Sequence, residues 1–210
     1  MTWIKICGTT NLEDALMSVE AGADALGFVF WEKSPRNVDP SVVRRIVSAL
    51  PTKVEKVGVF VGEPFERVQR IVEEAELTAA QLHFRNPAMG DWEDANFRKY
   101  VVVQASEIGS NGIPSRWADA IFLDSGNSQK PGGTGKTFDW QENAPMAETF
   151  CSNGHKIVVA GGLTPENVGE AIRILEPWGV DVVSGVEASP GKKDPAKVKA
   201  FVRAVREASK

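Results

Sequence analysis

Cysteine and histidine are scarce in this chain: 210 residues contain two of each, Cys7 and Cys151, His83 and His155. Two thiols cannot build the dense disulfide framework on which small secreted domains rely, so a reducing, cytoplasmic setting is expected. Two histidines exclude a multi-histidine zinc site; a metal centre would rest mainly on carboxylates, and no metal is expected. Long apolar runs are missing too. The run from Ala25 to Trp31 falls far short of the roughly 20 residues of a bilayer span, and Met1-Thr2-Trp3-Ile4-Lys5 opens no export signal, so no membrane association is expected. Positive charge is not in excess. Lys and Arg number 24 against 28 Asp and Glu, a net charge of −4, which disfavours nucleic acid as a partner but leaves room for a small anion in a locally positive pocket. No linker or low-complexity stretch divides residues 1–210, which read as a single domain, and a hydrophobic content of 42% suffices for a sizeable core.

What the chain does contain is a strand-then-helix grammar repeated eight times. The strand-like runs are Trp3 to Cys7, Ala25 to Phe30, Lys56 to Val61, Ala79 to His83, Tyr100 to Gln104, Ala120 to Asp124, Lys156 to Ala160 and Val180 to Ser184. Helical period follows at Leu12 to Ala21, Pro40 to Leu50, Pro64 to Ala75, Asp91 to Phe97, between Gln141 and Cys151, at Pro165 to Leu175 and at Pro195 to Ala208. Ser106 to Trp117 holds two glycines and a proline and has room for only a turn or two of helix. Strands separated by crossovers form parallel sheets. Eight units at about 26 residues each predict an α/β fold, a closed (βα)8 TIM barrel of eight parallel strands, because an open doubly wound sheet usually has fewer strands and a glycine fingerprint at its first turn, which Cys7-Gly8-Thr9-Thr10 lacks.

Such barrels carry chemistry at the C-terminal ends of their strands. Side-chain alternation puts Trp3, Lys5 and Cys7 on one face and Ile4 and Ile6 on the helix-facing side, so Cys7 points into the mouth, and Asp124 shares a face with Phe122. Cys7 read alone is equally a small buried hydrophobe, and Asp124 equally a loop cap before Ser-Gly. Together, at the ends of strands 1 and 6, they suit a base and an acid on opposite sides of one molecule. Gly161-Gly162 and Ser184-Gly185 follow strands 7 and 8, where barrels commonly bind phosphate, and Glu187 to Gly191 is expected to carry a short helix there; either pair alone could merely turn the chain, but both at the expected strands favour phosphate. Arg36 can clamp a carboxylate or simply be solvated, and His83 can contact substrate or satisfy neighbouring backbone. Gly133-Thr134-Gly135-Lys136-Thr137 imitates the end of a nucleotide-binding P-loop, yet Lys130 stands where that pattern needs glycine, and Asp124 ends its strand well upstream. A lid over the mouth explains this loop better.

Taken in order along nearly the whole chain, these segments resemble the N-(5′-phosphoribosyl)anthranilate isomerases of tryptophan biosynthesis. The resemblance is carried by Lys5-Ile6-Cys7-Gly8, Gly27-Phe28-Val29-Phe30 with Ser34-Pro35-Arg36, Gln81-Leu82-His83, Leu123-Asp124-Ser125, Gly132 through Trp140, Ala160-Gly161-Gly162-Leu163 and Ser184-Gly185-Val186-Glu187. It implies an Amadori rearrangement of a phosphorylated aminosugar without cofactor, with Asp124 as general acid and Cys7 as general base. It further implies Arg36 on the anthranilate carboxylate, His83, Gly133 and Gly135 in substrate binding, and Gly161, Gly162, Ser184 and Gly185 on the phosphate. The expected partner is the small-molecule phosphosugar substrate, and the expected assembly a monomer or homodimer. The chain departs from the family at Phe84-Arg85, where glycine usually follows Gln-Leu-His, and at Val183, which replaces the first of two serines. The histidine-pathway isomerase, which typically uses two aspartates, and a non-catalytic phospho-ligand-binding barrel are the competing readings.

Overall fold

The structure is a computed structural model that describes residues 1–83, 92–105, 117–126 and 137–209. Eight parallel strands close into a barrel in chain order: β1 (Trp3–Ile6), β2 (Ala25–Val29), β3 (Glu55–Val61), β4 (Ala79–His83), β5 (Arg98–Gln104), β6 (Ala120–Asp124), β7 (Ile157–Val159) and β8 (Gly179–Val182). β1 closes the ring against β8, with Lys5 opposite Asp181. The described crossover helices are α1 (Leu12–Ala21), α2 (Pro40–Val47), α3 (Phe65–Glu74), α4 (Trp140–Ser152), α5 (Val168–Leu175) and α6 (Pro195–Ala208). Their starts follow local chemistry. Asn11, Asp39, Asp139 and Asp194 each accept a hydrogen bond from a first-turn backbone N–H, satisfying donors that a helix end otherwise leaves open.

Strand alternation sorts the core into layers. Ile4, Ile6, Leu26, Phe28, Phe60, Leu82, Ile121, Leu123 and Val180 face outward and pack with the helices. Ala25, Val57, Ala79, Tyr100, Ala120, Phe122, Val158 and Ala160 fill the barrel with Trp3, Val102 and Trp178. Cys7, Val29 and Val59 form a smaller cluster with Trp31 and Val183. At one end of the barrel Trp3 stacks on Trp178 at 4.9 Å and meets Tyr100 and Phe122 edge-on at 6.0 and 6.3 Å. Glu55 accepts from the Tyr100 hydroxyl at 2.7 Å and from Arg98 at 2.8 Å.

Several boundaries differ from the sequence expectation for identifiable reasons. Of the helix expected over Asp91 to Phe97, the described residues form a single 3₁₀ turn, Trp92–Asp94, after which the chain runs into β5 at Arg98, paired with Ala79. α5 starts at Val168 instead of Pro165, since Asn167 and Thr164 first accept backbone hydrogen bonds from Thr164 and Glu166 in a tight turn. β8 spans Gly179–Val182, and Val183, with φ −121° and ψ −87°, leaves the strand. The short helix expected over Glu187 to Gly191 lies earlier, as a 3₁₀ turn at Ser184–Val186. Glu187 instead opens a hairpin of β9 (Glu187–Ser189) and β10 (Lys192–Lys193), turned at Gly191 with φ +80°. Ser106 to 116 falls outside the described residues.

Phe122 has no exposed surface and touches rings on two sides. Phe122→Ala is expected to cost about 3–5 kcal/mol of unfolding free energy, measured by urea denaturation.

Candidate active site

β1 delivers two functional side chains inward, Lys5 and Cys7. Cys7 lies just past the strand but stays tied to β8, its N–H donating to the Val182 carbonyl at 2.9 Å. Room for both comes from Gly27 on β2: a Cβ there would overlap the Cys7 sulfur and sit 3.0 Å from both Cε and Nζ of Lys5. Cys7 is 4% exposed. Burial pushes its thiol up, Lys5 opposes, Asp181 adds to the rise and Lys193 opposes again, leaving it above its ordinary value. Burial also works against the Lys5 ammonium, but Asp181, 2.9 Å away, and Cys7 outweigh it, so Lys5 stays charged inside the barrel.

Asp124 ends β6 at 6% exposure. Burial pushes its carboxyl up, the Gly126 N–H at 2.8 Å pulls it down, Asp181 raises it and Lys5 lowers it, with the result at about 6. That lies well above an ordinary aspartate, the direction a proton donor needs. His83 ends β4 beside Gln81, whose Nε2 lies 3.3 Å from His83 Nε2. Burial, with Lys5 contributing, lowers it to about 4, so it is a neutral imidazole at physiological pH.

Three loops meet beyond Asp124. Gly161 and Gly162 take left-handed φ values of +77° and +66°. A Cβ on Gly161 would strike Ser125 after β6, and one on Gly185 would strike the Leu163 carbonyl. The two glycine turns therefore touch, and only hydrogen fits between them. One cleft is lined by Asp124, Gly161, Gly162, Leu163, Asp181, Val183 and Ser184. It unites the sequence-derived acid with three of the four residues expected to bind phosphate, while Cys7 packs with Val183 on the cleft wall.

Arg36 sits elsewhere on the rim, with its stem against Gly8, where a Cβ would meet Cδ at 2.7 Å. Its guanidinium is already engaged: Nε and Nη2 donate to the two Glu187 oxygens at 2.9 and 2.6 Å. Glu187 also accepts from Lys193 Nζ at 3.2 Å and from the Gly191 N–H at 3.1 Å, and Lys193 Nζ donates to the Cys7 carbonyl as well. Gly133 and Gly135 lie outside the described residues.

Lys5, Asp181, Glu187 and Lys193 were not singled out from sequence as site residues. For Lys5 and Asp181 a signal exists. Each is a charge on the inward parity of a short apolar strand, a position tenable only with a partner. Glu187 and Lys193 carried no such signal, because a hairpin buries them.

A closed parallel barrel with a carboxylic acid, a thiol and two glycine turns at one end defines a (βα)8-barrel enzyme working on a small molecule. The family described as "N-(5'phosphoribosyl)anthranilate (PRA) isomerase" matches residues 4–204. The isomerase of that name from Trichlorobacter lovleyi is 44% identical over 99% of this chain and 100% of its own length. Among solved structures, monomers generated from the dimeric Thermotoga maritima enzyme superpose with a TM-score of 0.82 at 38% identity, covering 99% of this chain and 100% of that one. A phosphoribosyl anthranilate isomerase in complex with reduced 1-(o-carboxyphenylamino)-1-deoxyribulose 5-phosphate superposes at 0.80 with 37% identity and the same coverage. The chain belongs to the N-(5′-phosphoribosyl)anthranilate isomerase family, and its reaction is that isomerisation, a step of tryptophan biosynthesis. Among the described residues no helix is long and apolar enough to cross a membrane.

The raised Asp124 carboxyl fixes a sign for stability. Its folded value exceeds the unfolded one, so the ionised form is disfavoured by folding. The cost is absent below about pH 4 and complete above about pH 6. Asp124→Asn is therefore expected to gain stability over the parent above pH 6, on the order of 2–3 kcal/mol, and to gain none below pH 4, as urea denaturation across pH will show. Glu187→Gln removes the counter-charge of buried Lys193 and is expected to cost about 3–5 kcal/mol by the same measurement.

Proposed function

We propose that Asp124 is the general acid and Cys7 the general base of the rearrangement. The protonated Asp124 carboxyl donates to the furanose ring oxygen, the C1′–O bond breaks, and the anthranilate nitrogen is left in a protonated imine. The Cys7 thiolate then removes the C2′ proton, and the electron pair moves into a C1′–C2′ double bond. Ketonisation of this enolamine yields the aminoketose. Asp124 ends as carboxylate and Cys7 as thiol, so one proton returns to the acid before the next turnover.

The observation that carries this reading is the one cleft holding Asp124 with Gly161, Gly162 and Ser184, whose Val183 packs against the Cys7 cluster. The phosphate would lie against Gly161, Gly162, Ser184 and Gly185, three of which have no side chain to hold an anion away from the backbone N–H groups. Arg36 keeps Nη1 and the outer side of Nη2 for the anthranilate carboxylate while Glu187 occupies its other edge. His83, Gly133 and Gly135 are assigned the remaining substrate contacts in this reading.

Protonation states support the roles. Asp124 titrates near 6 and the thiol higher, so the reactive form, acid protonated and thiol ionised, is a minor tautomer whose share is level between the two values and falls outside them. The low-pH limb of kcat then belongs to Asp124. The substrate is a small phosphosugar. We read the chain as one domain working in the cytoplasm, where a reducing environment keeps Cys7 a free thiol, and as a monomer or homodimer, which sedimentation equilibrium separates.

The deciding experiment follows loss of the substrate's anthranilate fluorescence. Cys7→Ala and Asp124→Asn are each expected to lower kcat by at least about 10²-fold while product binds within a few-fold of the parent. Near-parental turnover in either variant would refute its role.

A further inference from the structure

Acid and base leave one charged device inside the barrel unused. Lys5 has no exposed surface and Asp181 only 4%. They face each other across the β1–β8 register and are joined at 2.9 Å. Burying two ions costs several kcal/mol apiece, and apolar residues of like volume often do as well or better, so stability alone is a poor reason for the pair. Its orientation supplies another. The ammonium shares the space over Gly27 with the Cys7 sulfur and lies 5.5 Å from the Phe122 ring centre. The carboxylate lines the same cleft as Asp124.

We propose that Lys5 and Asp181 are positioning residues for the isomerisation: an oriented ion pair whose ammonium end backs the Cys7 sulfur and whose carboxylate end faces Asp124. The proposal rests on the reading of Cys7 as base and Asp124 as acid. A lone cation would favour the thiolate but strip the proton from Asp124, and a lone anion would do the reverse. An oriented pair serves both, because each end acts most strongly on its nearer neighbour.

The electrostatic surroundings agree in sign. Against the upward push of burial on Cys7, Lys5 pulls down more than Asp181 pushes up, and Lys193 from the hairpin adds a smaller pull. On Asp124, after burial and the Gly126 N–H, Asp181 raises more than Lys5 lowers. Arg36, from the loop after β2, also interacts with Cys7. His83 on β4 feels Lys5 and is neutral.

The test compares Lys5→Met, Asp181→Asn and the paired Lys5→Met/Asp181→Asn protein, each also carrying Cys151→Ser so that one thiol remains. Thiolate is followed by its ultraviolet absorbance. The single tyrosine, Tyr100, is held well above its ordinary value by burial and Glu55 and does not interfere. In Lys5→Met the thiolate is expected to appear at higher pH, with kcat down about tenfold or more and KM little changed. In Asp181→Asn the low-pH limb of kcat is expected to move to lower pH. The paired protein, free of an unpaired buried charge, should melt near the parent and show both displacements.

A paired protein that retains the parental thiolate titration and both kcat limbs overturns the proposal. So does one that cannot fold, since the pair would then be structural. Parental turnover in Cys7→Ala or Asp124→Asn sinks the acid–base reading instead, and the thiolate displacement in Lys5→Met still reports on the ion pair itself.

Discussion

A lysine ammonium with no exposed surface has to find an anion, and in this barrel the anion stands on the strand that closes the ring. Lys5 and Asp181 face each other in the β1–β8 register, so the first and last strands meet through a charged contact as well as through their backbone ladder. The pair lies inside the barrel, between the aromatic fill of Trp3, Tyr100 and Phe122 and the cluster around Cys7. It acts on three of the groups proposed to take part in the reaction. Cys7, Asp124 and His83 all feel Lys5, and two of the three also feel Asp181.

Around that contact the site is made by absences as much as by side chains. Gly27 leaves the volume that Lys5 and Cys7 fill, Gly8 lets the Arg36 stem lie close to the chain, and Gly185 lets two loops touch. A methyl group at any of these positions would displace a functional group or a neighbouring turn. The hairpin after β8 adds a second charged network. Glu187 ties Arg36 to Lys193, and Lys193 reaches the carbonyl of the same residue whose thiol is assigned as base. The proposed anthranilate and base sides of the site are therefore mechanically connected.

Much of the architecture was legible because strand alternation and helix capping are local. Ile4 and Ile6 against Lys5 and Cys7 announced which side of β1 faces the helices, and Asp39 with Pro40, or Asp194 with Pro195, announced helix starts. The errors fell where distant partners decide. Asp91 to Phe97 has helical composition, yet of its described residues only Trp92–Asp94 coils, as one 3₁₀ turn, and the chain then runs straight into β5 at Arg98, whose place is set by pairing with Ala79. Glu187 to Gly191 resembles the start of a short helix, yet burial of Glu187 and Lys193 beneath Arg36 makes it a hairpin.

The order of strands, the parity of their side chains and the identity of the thiol, the carboxyl and the glycine turns belong to the sequence by itself, because each depends on residues a few positions apart. The partners of Lys5, Arg36 and Lys193 and the raised Asp124 carboxyl were decided only by tertiary structure. They involve groups 176, 151 and 186 positions apart. Such charges acquire their neighbours and lose their water only when the barrel closes, and nothing in the local chain records which strand will stand opposite.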